Sequence, residues 1–234
     1  MNRIIYRFIF ILAALFPNFT NAQNFFKEQI PRKNSFSLGF GPSFGYMDNG
    51  GQYRVGRFEV KAAASGSFYH KLNPRIDFRA TLGVQQIQSG GKPTPDLLAA
   101  WTANSSAFTA KGSVYFFDIM PSFSMIPASH YFSRGQFNLY GGIGLGFLQS
   151  VTEQTKSFDP NEIPIKFNSN SLYIPARTGI SFRLGPYSDI SGELTYFWTF
   201  SDTIDGNTST NSYHDQLVQG MLIYRKYLLQ KSIK

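Results

Sequence analysis

The residues best suited to chemistry in this chain are three histidines, His70, His130 and His214, and no cysteine accompanies them. The missing cysteines exclude a disulfide framework, a thiolate zinc site, a cysteine nucleophile and a cysteine-borne lipid anchor. None of the histidines has the HExxH spacing of a zinc protease, and none lies near a glycine-framed serine. Only His214 has a hydroxyl and a carboxylate close by, in Ser212 and Asp215. A hydrolytic triad needs a base held by one group while it reaches another, and near-adjacent residues of one loop rarely meet both demands. Gly141-Gly142-Ile143-Gly144-Leu145-Gly146 mimics a phosphate-cradling loop, but no strand-then-helix unit surrounds it. Asp202 and Asp205 suggest a calcium loop until the ligand spacing and terminal glutamate are sought and not found. These residues predict no catalytic, metal or cofactor site, and the chain reads as a non-enzyme.

Chemistry of a different kind is written in the composition. Only 15% of the 234 residues are charged, while 17% are aromatic, including 24 Phe and 13 Tyr beside 21 Gly. A soluble domain carries roughly a quarter charged residues. Residues 1–22 read as a signal peptide: Arg3 and Arg7 precede an apolar run from Phe8 to Phe16, too short to span a bilayer, and Thr20-Asn21-Ala22 supplies small residues for cleavage. Export from Gln23 onward lowers the formal charge from +8 to +6 and excludes nucleic acid as a partner by compartment.

The remainder alternates with period two. Phe36, Leu38, Phe40, Phe44 and Tyr46 share one parity with Pro42, and the positions between them are only Ser and Gly. Strands place such positions on opposite faces. One face here is greasy and the other small and polar, the reverse of a soluble sandwich surface. Similar alternation recurs around 58–68, 76–85, 115–123, 137–147, 172–184 and 190–200, and a last strand runs from about Leu217 to Tyr227 with its facing left open. Leu72-Asn73-Pro74 and Gly185-Pro186-Tyr187-Ser188 are tight turns, 128–135 is modest, and long polar stretches cover 88–110, 149–171 and 201–216, with 48–55 a shorter member. Short turns at one end and long loops at the other describe an outer-membrane barrel. The expected fold is all-β: an eight-stranded antiparallel transmembrane β-barrel over 34–228, preceded by a periplasmic segment 23–33 and followed by a tail 229–234, in the outer membrane after Sec-dependent export. Pro42, Pro121 and Pro175 fall inside strands, where each removes a ladder donor, so bulges or shortened strand ends are expected there.

Eight charges within strands share the polar parity: Glu59, Lys61, Asp77, Arg79, Asp118, Arg177, Arg183 and Glu193. On the lipid face a midplane Arg or Lys costs roughly 2–4 kcal/mol, so these are assigned to the lumen, four of each sign and mutually paired. A barrel of eight strands is filled by its own side chains, and the set reads as a plug. Sorting the other mature charges by topology puts a basic rim on the periplasmic side. It comprises Arg32, Lys33, Lys71, Arg75, Arg134, Arg225, Lys226, Lys231 and Lys234, with Lys27 beside them and only Glu28 and Asp189 opposed.

The second half carries a family resemblance. Tyr173-Ile174-Pro175-Ala176-Arg177-Thr178-Gly179-Ile180 leads to Gly192-Glu193-Leu194-Thr195-Tyr196 and then to Thr199-Phe200-Ser201-Asp202-Thr203-Ile204-Asp205. With Tyr140-Gly141-Gly142-Ile143-Gly144 before it, this run resembles small Bacteroidota outer-membrane barrels of the PorG type, associated with type IX secretion. The likeness covers 137–226 best. The chain departs from it in ending past Tyr227 at Lys234 and in an Asn- and Thr-rich loop after Asp205. The resemblance implies a barrel docking a periplasmic assembly, with secretion-machinery proteins and outer-membrane lipid as partners. A structural or surface-adhesion barrel is the alternative, and a lipid-modifying enzyme built near His214 a third reading.

Overall fold

The computed structural model describes residues 32–47, 59–90, 95–103, 105–127, 135–157, 159, 161–205 and 214–228. The signal peptide 1–22, most of the segment 23–33, the tail 229–234 and the rim residues Arg134, Lys231 and Lys234 lie outside them. The strands are β1 (Asn34–Tyr46), β2 (Lys61–Lys71), β3 (Ile76–Gly90), β4 (Thr109–Ser124), β5 (Phe137–Ile143), β6 (Leu145–Thr155), β7 (Ile165–Gly185), β8 (Ser188–Thr199) and β9 (Gln216–Tyr227). All pairings are antiparallel, and β9 pairs with β1 to close the ring. β5 and β6 are two halves of one wall strand: both lie between β4 and β7, in the same register on each side. The barrel therefore has eight strands.

Alternation decides which side of each strand faces out. Phe36, Leu38 and Phe40 are 51%, 73% and 66% exposed, while Ser35 and Ser37 between them are buried. The outward set continues around the wall through Leu82, Phe117, Leu145, Leu172, Leu194 and Leu222. An apolar belt of this extent is stable in hydrocarbon and costly in water. The last strand, undecided by its sequence, points Leu217, Gln219, Met221 and Ile223 inward and Leu222, Tyr224 and Lys226 outward.

The prolines behave differently from expectation. No register shift occurs at Pro42, Pro121 or Pro175; the one irregularity lies at Arg183/Gly185 beside a turn. Instead the ladder skips rungs and resumes in step. Phe40↔Leu222 is followed by Ser43↔Gln219, and Ile119↔Leu145 by Phe123↔Gly141. A proline lacks only its own donor, so a wall paired on both sides of it keeps register. Pro121 and Pro175 flank the interruption at Gly144, whose N–H still reaches the Pro175 carbonyl at 3.0 Å. A Cβ on Gly144 would overlap the Ile119 carbonyl and Met120. Glycine is required by this close approach, not by phosphate binding.

The outer connections are shorter than the sequence suggests. β3 runs to Gly90, and β6 and β7 pair as far as Gln154↔Ile165, so the expected loops 88–110 and 149–171 contract to 91–108 and 156–164. Polar residues such as Glu153, Asn168 and Asn170 face outward there. The strands continue beyond the bilayer, where greasy alternation stops marking them. The first of these connections also contains a helix, α1 (Pro95–Ala103). It opens with Pro95, whose missing N–H costs nothing in the first turn, and buries Trp101 against Phe108 with ring centroids 5.9 Å apart. Protease added to intact cells should cut within 91–108 or 156–164 and spare the Asn73-Pro74 turn. Cleavage at that turn, mapped by mass spectrometry, would invert the topology.

Candidate functional site

The centre of the lumen holds two neighbouring ion bridges. Arg79 on β3 grips Glu193 on β8 with two bonds, Nη1 to Oε2 at 2.5 Å and Nη2 to Oε1 at 3.0 Å. Arg177 on β7 grips Asp118 on β4 likewise, at 2.5 and 2.7 Å, and its Nε lies 3.7 Å from Glu193. The Tyr140 hydroxyl donates to Glu193 at 2.8 Å and the Tyr173 hydroxyl to Asp118 at 2.6 Å. Arg79 Nε donates to Ser67 and Thr81, and Arg177 Nε to Thr195. All four charged residues are buried. Two cations and two anions, each with further hydrogen bonds, meet the condition under which buried ions are tolerated.

Toward the long-loop end the lumen becomes apolar. Met47, Ile87, Val114, Phe116, Leu148, Tyr173, Phe197, Ile204 and Leu217 form one buried cluster, which strand alternation alone does not reveal. Its signal is present in Tyr115-Phe116-Phe117 and Tyr196-Phe197-Trp198, where consecutive rings make both faces greasy at one level. Ile204 reaches in from the connection between β8 and β9. Its N–H donates to Asp215 at 2.8 Å, Thr199 donates to the Asp215 carbonyl, and Gln154 donates to the Asp205 carbonyl at 2.7 Å. Asp205 and Asp215 hold this segment in the mouth, so the calcium-like run is a cork.

At the turn end Asp77 accepts Arg225 at 2.8 Å and Lys71 at 3.5 Å, and the Tyr227 hydroxyl donates to Asp189 at 2.6 Å. Beneath the ion bridges these groups, with Asn138, Tyr140 and Arg183, line a polar cavity of about 50 Å³, room for a few waters. Bridges, apolar cluster and basal groups fill successive levels of the lumen.

No protein-family model matches the chain, and no curated protein is similar to it in sequence. Solved structures are similar in fold. Neisserial surface protein A is 10% identical, with 83% of this chain and 97% of that one covered at a TM-score of 0.52. A major outer membrane protein from Thermus thermophilus is 13% identical, covering 83% and 99% at 0.50. The chain is an outer-membrane β-barrel. Its outward apolar belt and closed ring place it in that bilayer.

Several expected positions need correction. Of the eight lumen charges, the barrel brings Arg79, Asp118, Arg177 and Glu193 together at its centre. Asp77 serves the turn end with Lys71 and Arg225. Glu59 and Lys61 form a 3.9 Å pair at the outer end with side chains 50% and 31% exposed, because Glu59 precedes β2 and Lys61 only begins it. Arg183 is exposed at the turn end, since β7 has already reached its turn. The basic rim is also smaller than expected. Arg225 points into the lumen and lies 3.8 Å from the Tyr69 ring centre, and Arg32 is buried over Tyr187. A cation counted by its nearness to a turn can still sit on an inward position. Lys33, Arg75 and Lys226 remain exposed. His214 is exposed while the neighbouring Asp215 side chain is buried on Ile204; Ser212 lies outside the described residues. His70 bonds Asn34 at 2.7 Å near the Asn73 turn.

Proposed function

We propose that this barrel is a closed, non-catalytic anchor whose work is done at its rims, with the periplasmic rim docking a periplasmic assembly. The observation that carries the reading is the filling of the lumen by buried bridges and an apolar cluster, which supports a role other than transport through the barrel. Lys33, Arg75 and Lys226 present cations beside the short turns, where an acidic protein surface could seat. The resemblance to PorG-type barrels supports a secretion accessory as the specific case. Reversing all three cations to Glu should leave a barrel that assembles and migrates normally but loses a co-purifying periplasmic protein. Retention of the same partners and unchanged secretion would remove the docking role. A surface-adhesion barrel is the second reading, favoured by α1 and by the Ile204 segment held to Asp215, both in connections at the long-loop end.

A further inference from the structure

We propose that the outer wall binds the phosphorylated headgroup of an outer-leaflet glycolipid, through Lys111 and Lys166. The two lysines stand on adjacent ladders with one carboxylate between them: Lys111 pairs with Glu153, and Glu153 pairs with Lys166. All three are exposed. Neighbouring strands are about 4.8 Å apart, which puts the two lysine backbones roughly 10 Å apart, a span suited to a sugar phosphate held from both sides. One carboxylate cannot neutralise two ammonium groups, and Lys61, itself paired with Glu59 at 3.9 Å, lines the same hollow. Among the described residues neither Lys111 nor Lys166 makes an ion pair, so both are available to a ligand.

The shape and depth of the site choose a lipid over a soluble anion. The hollow is an open one of about 440 Å³ on the wall of β3, β4, β6 and β7. Gln86, Gln88 and Ser113 offer donors and acceptors for sugar hydroxyls, and Tyr115 forms its lower lining. Tyr115, 53% exposed, continues downward into Phe117 and the apolar belt. Lys111 lies four residues beyond Tyr115 on the same face, about 13 Å along the strand at 3.3 Å per residue. An aromatic ring at the boundary with cations just beyond it matches a lipid whose acyl chains meet the belt and whose phosphates meet the lysines. The long connections lie at this end, so the leaflet concerned is the outer one, where phosphorylated glycolipid is the abundant anion. The inference rests on the barrel's topology and not on its docking role.

The test uses the full-length barrel in detergent micelles with three probes: lipid A, dephosphorylated lipid A and inorganic phosphate. Native mass spectrometry should show lipid A retained by the unaltered barrel and the dephosphorylated form lost, with inorganic phosphate failing to displace the lipid. Lys111→Gln with Lys166→Gln should weaken retention at least tenfold while heat-modifiable gel mobility stays normal. Arg183→Gln, exposed at the opposite end, should leave lipid A retention unchanged. Equal retention of dephosphorylated lipid by the unaltered barrel would reduce the contact to acyl packing and overturn the proposal without any variant. Equal retention by the double variant, or displacement by inorganic phosphate, would overturn it as well.

Discussion

Arg79→Met lowers the melting temperature of the barrel sharply and opens no channel. The substitution removes both bonds to Glu193 and leaves that carboxylate buried, with Tyr140 at 2.8 Å and Arg177 at 3.7 Å as its remaining partners. Breaking one side of a buried pair costs about 3–5 kcal/mol, because the surviving charge has lost its counter-ion. Arg79→Met combined with Glu193→Met should recover much of the loss, since an apolar replacement of both partners is often neutral. Thermal unfolding followed by gel mobility measures the first effect, and planar-bilayer recording the second. An unchanged melting temperature in the single variant would show the bridge to be ornamental, and large currents through the unaltered protein would show the lumen to be open.

Phe197→Ala has an effect of similar size through different physics. Phe197 is fully buried, with its ring centre 5.1 Å from Phe116 and 5.0 Å from Tyr173. Truncating such a ring costs about 3–5 kcal/mol, in lost transfer energy and in the cavity left behind. The apolar cluster then loosens, but the ion bridges below it stay intact, so this variant should also remain non-conducting. Because Tyr173 donates to Asp118, the two regions touch, and the combined loss from Phe197→Ala with Arg79→Met should depart from the sum of the single losses. A Phe197→Ala barrel that melts like the parent would mean that the rings pack without consequence.

The barrel is legible because a bilayer enforces a simple rule on strands: apolar outward, anything else inward. Phe36-Ser37-Leu38-Gly39-Phe40 obeys it without exception. The rule fails where both faces are apolar, which is why Phe116 and Phe197 are hidden among their neighbours and why the facing of β9, with Leu217, Val218, Leu222 and Ile223 together, cannot be read. That one ambiguity also displaces Arg225 from the lumen to the rim. Nor does alternation say how deep along a strand a charge sits, so Glu59, Lys61 and Arg183 group with Arg79 by parity although they lie at opposite ends of the barrel. Beyond the bilayer the rule lapses altogether, and the upper reaches of β6 and β7 pass for loop.

The central bridges have a consequence for time as well as for strength. Arg79 and Glu193 are 114 residues apart and Arg177 and Asp118 are 59 apart; the first pair joins β3 and β8 across the ring, and the second spans the single wall strand between β4 and β7. Arg79 and Glu193 meet only after much chain has been ordered, so their bridge acts as a latch thrown late in assembly. Interactions absent from the folding barrier add little to the speed of assembly and slow the reverse process. The barrel is thereby made reluctant to open once built, which suits a protein that must hold its place in a membrane long after insertion.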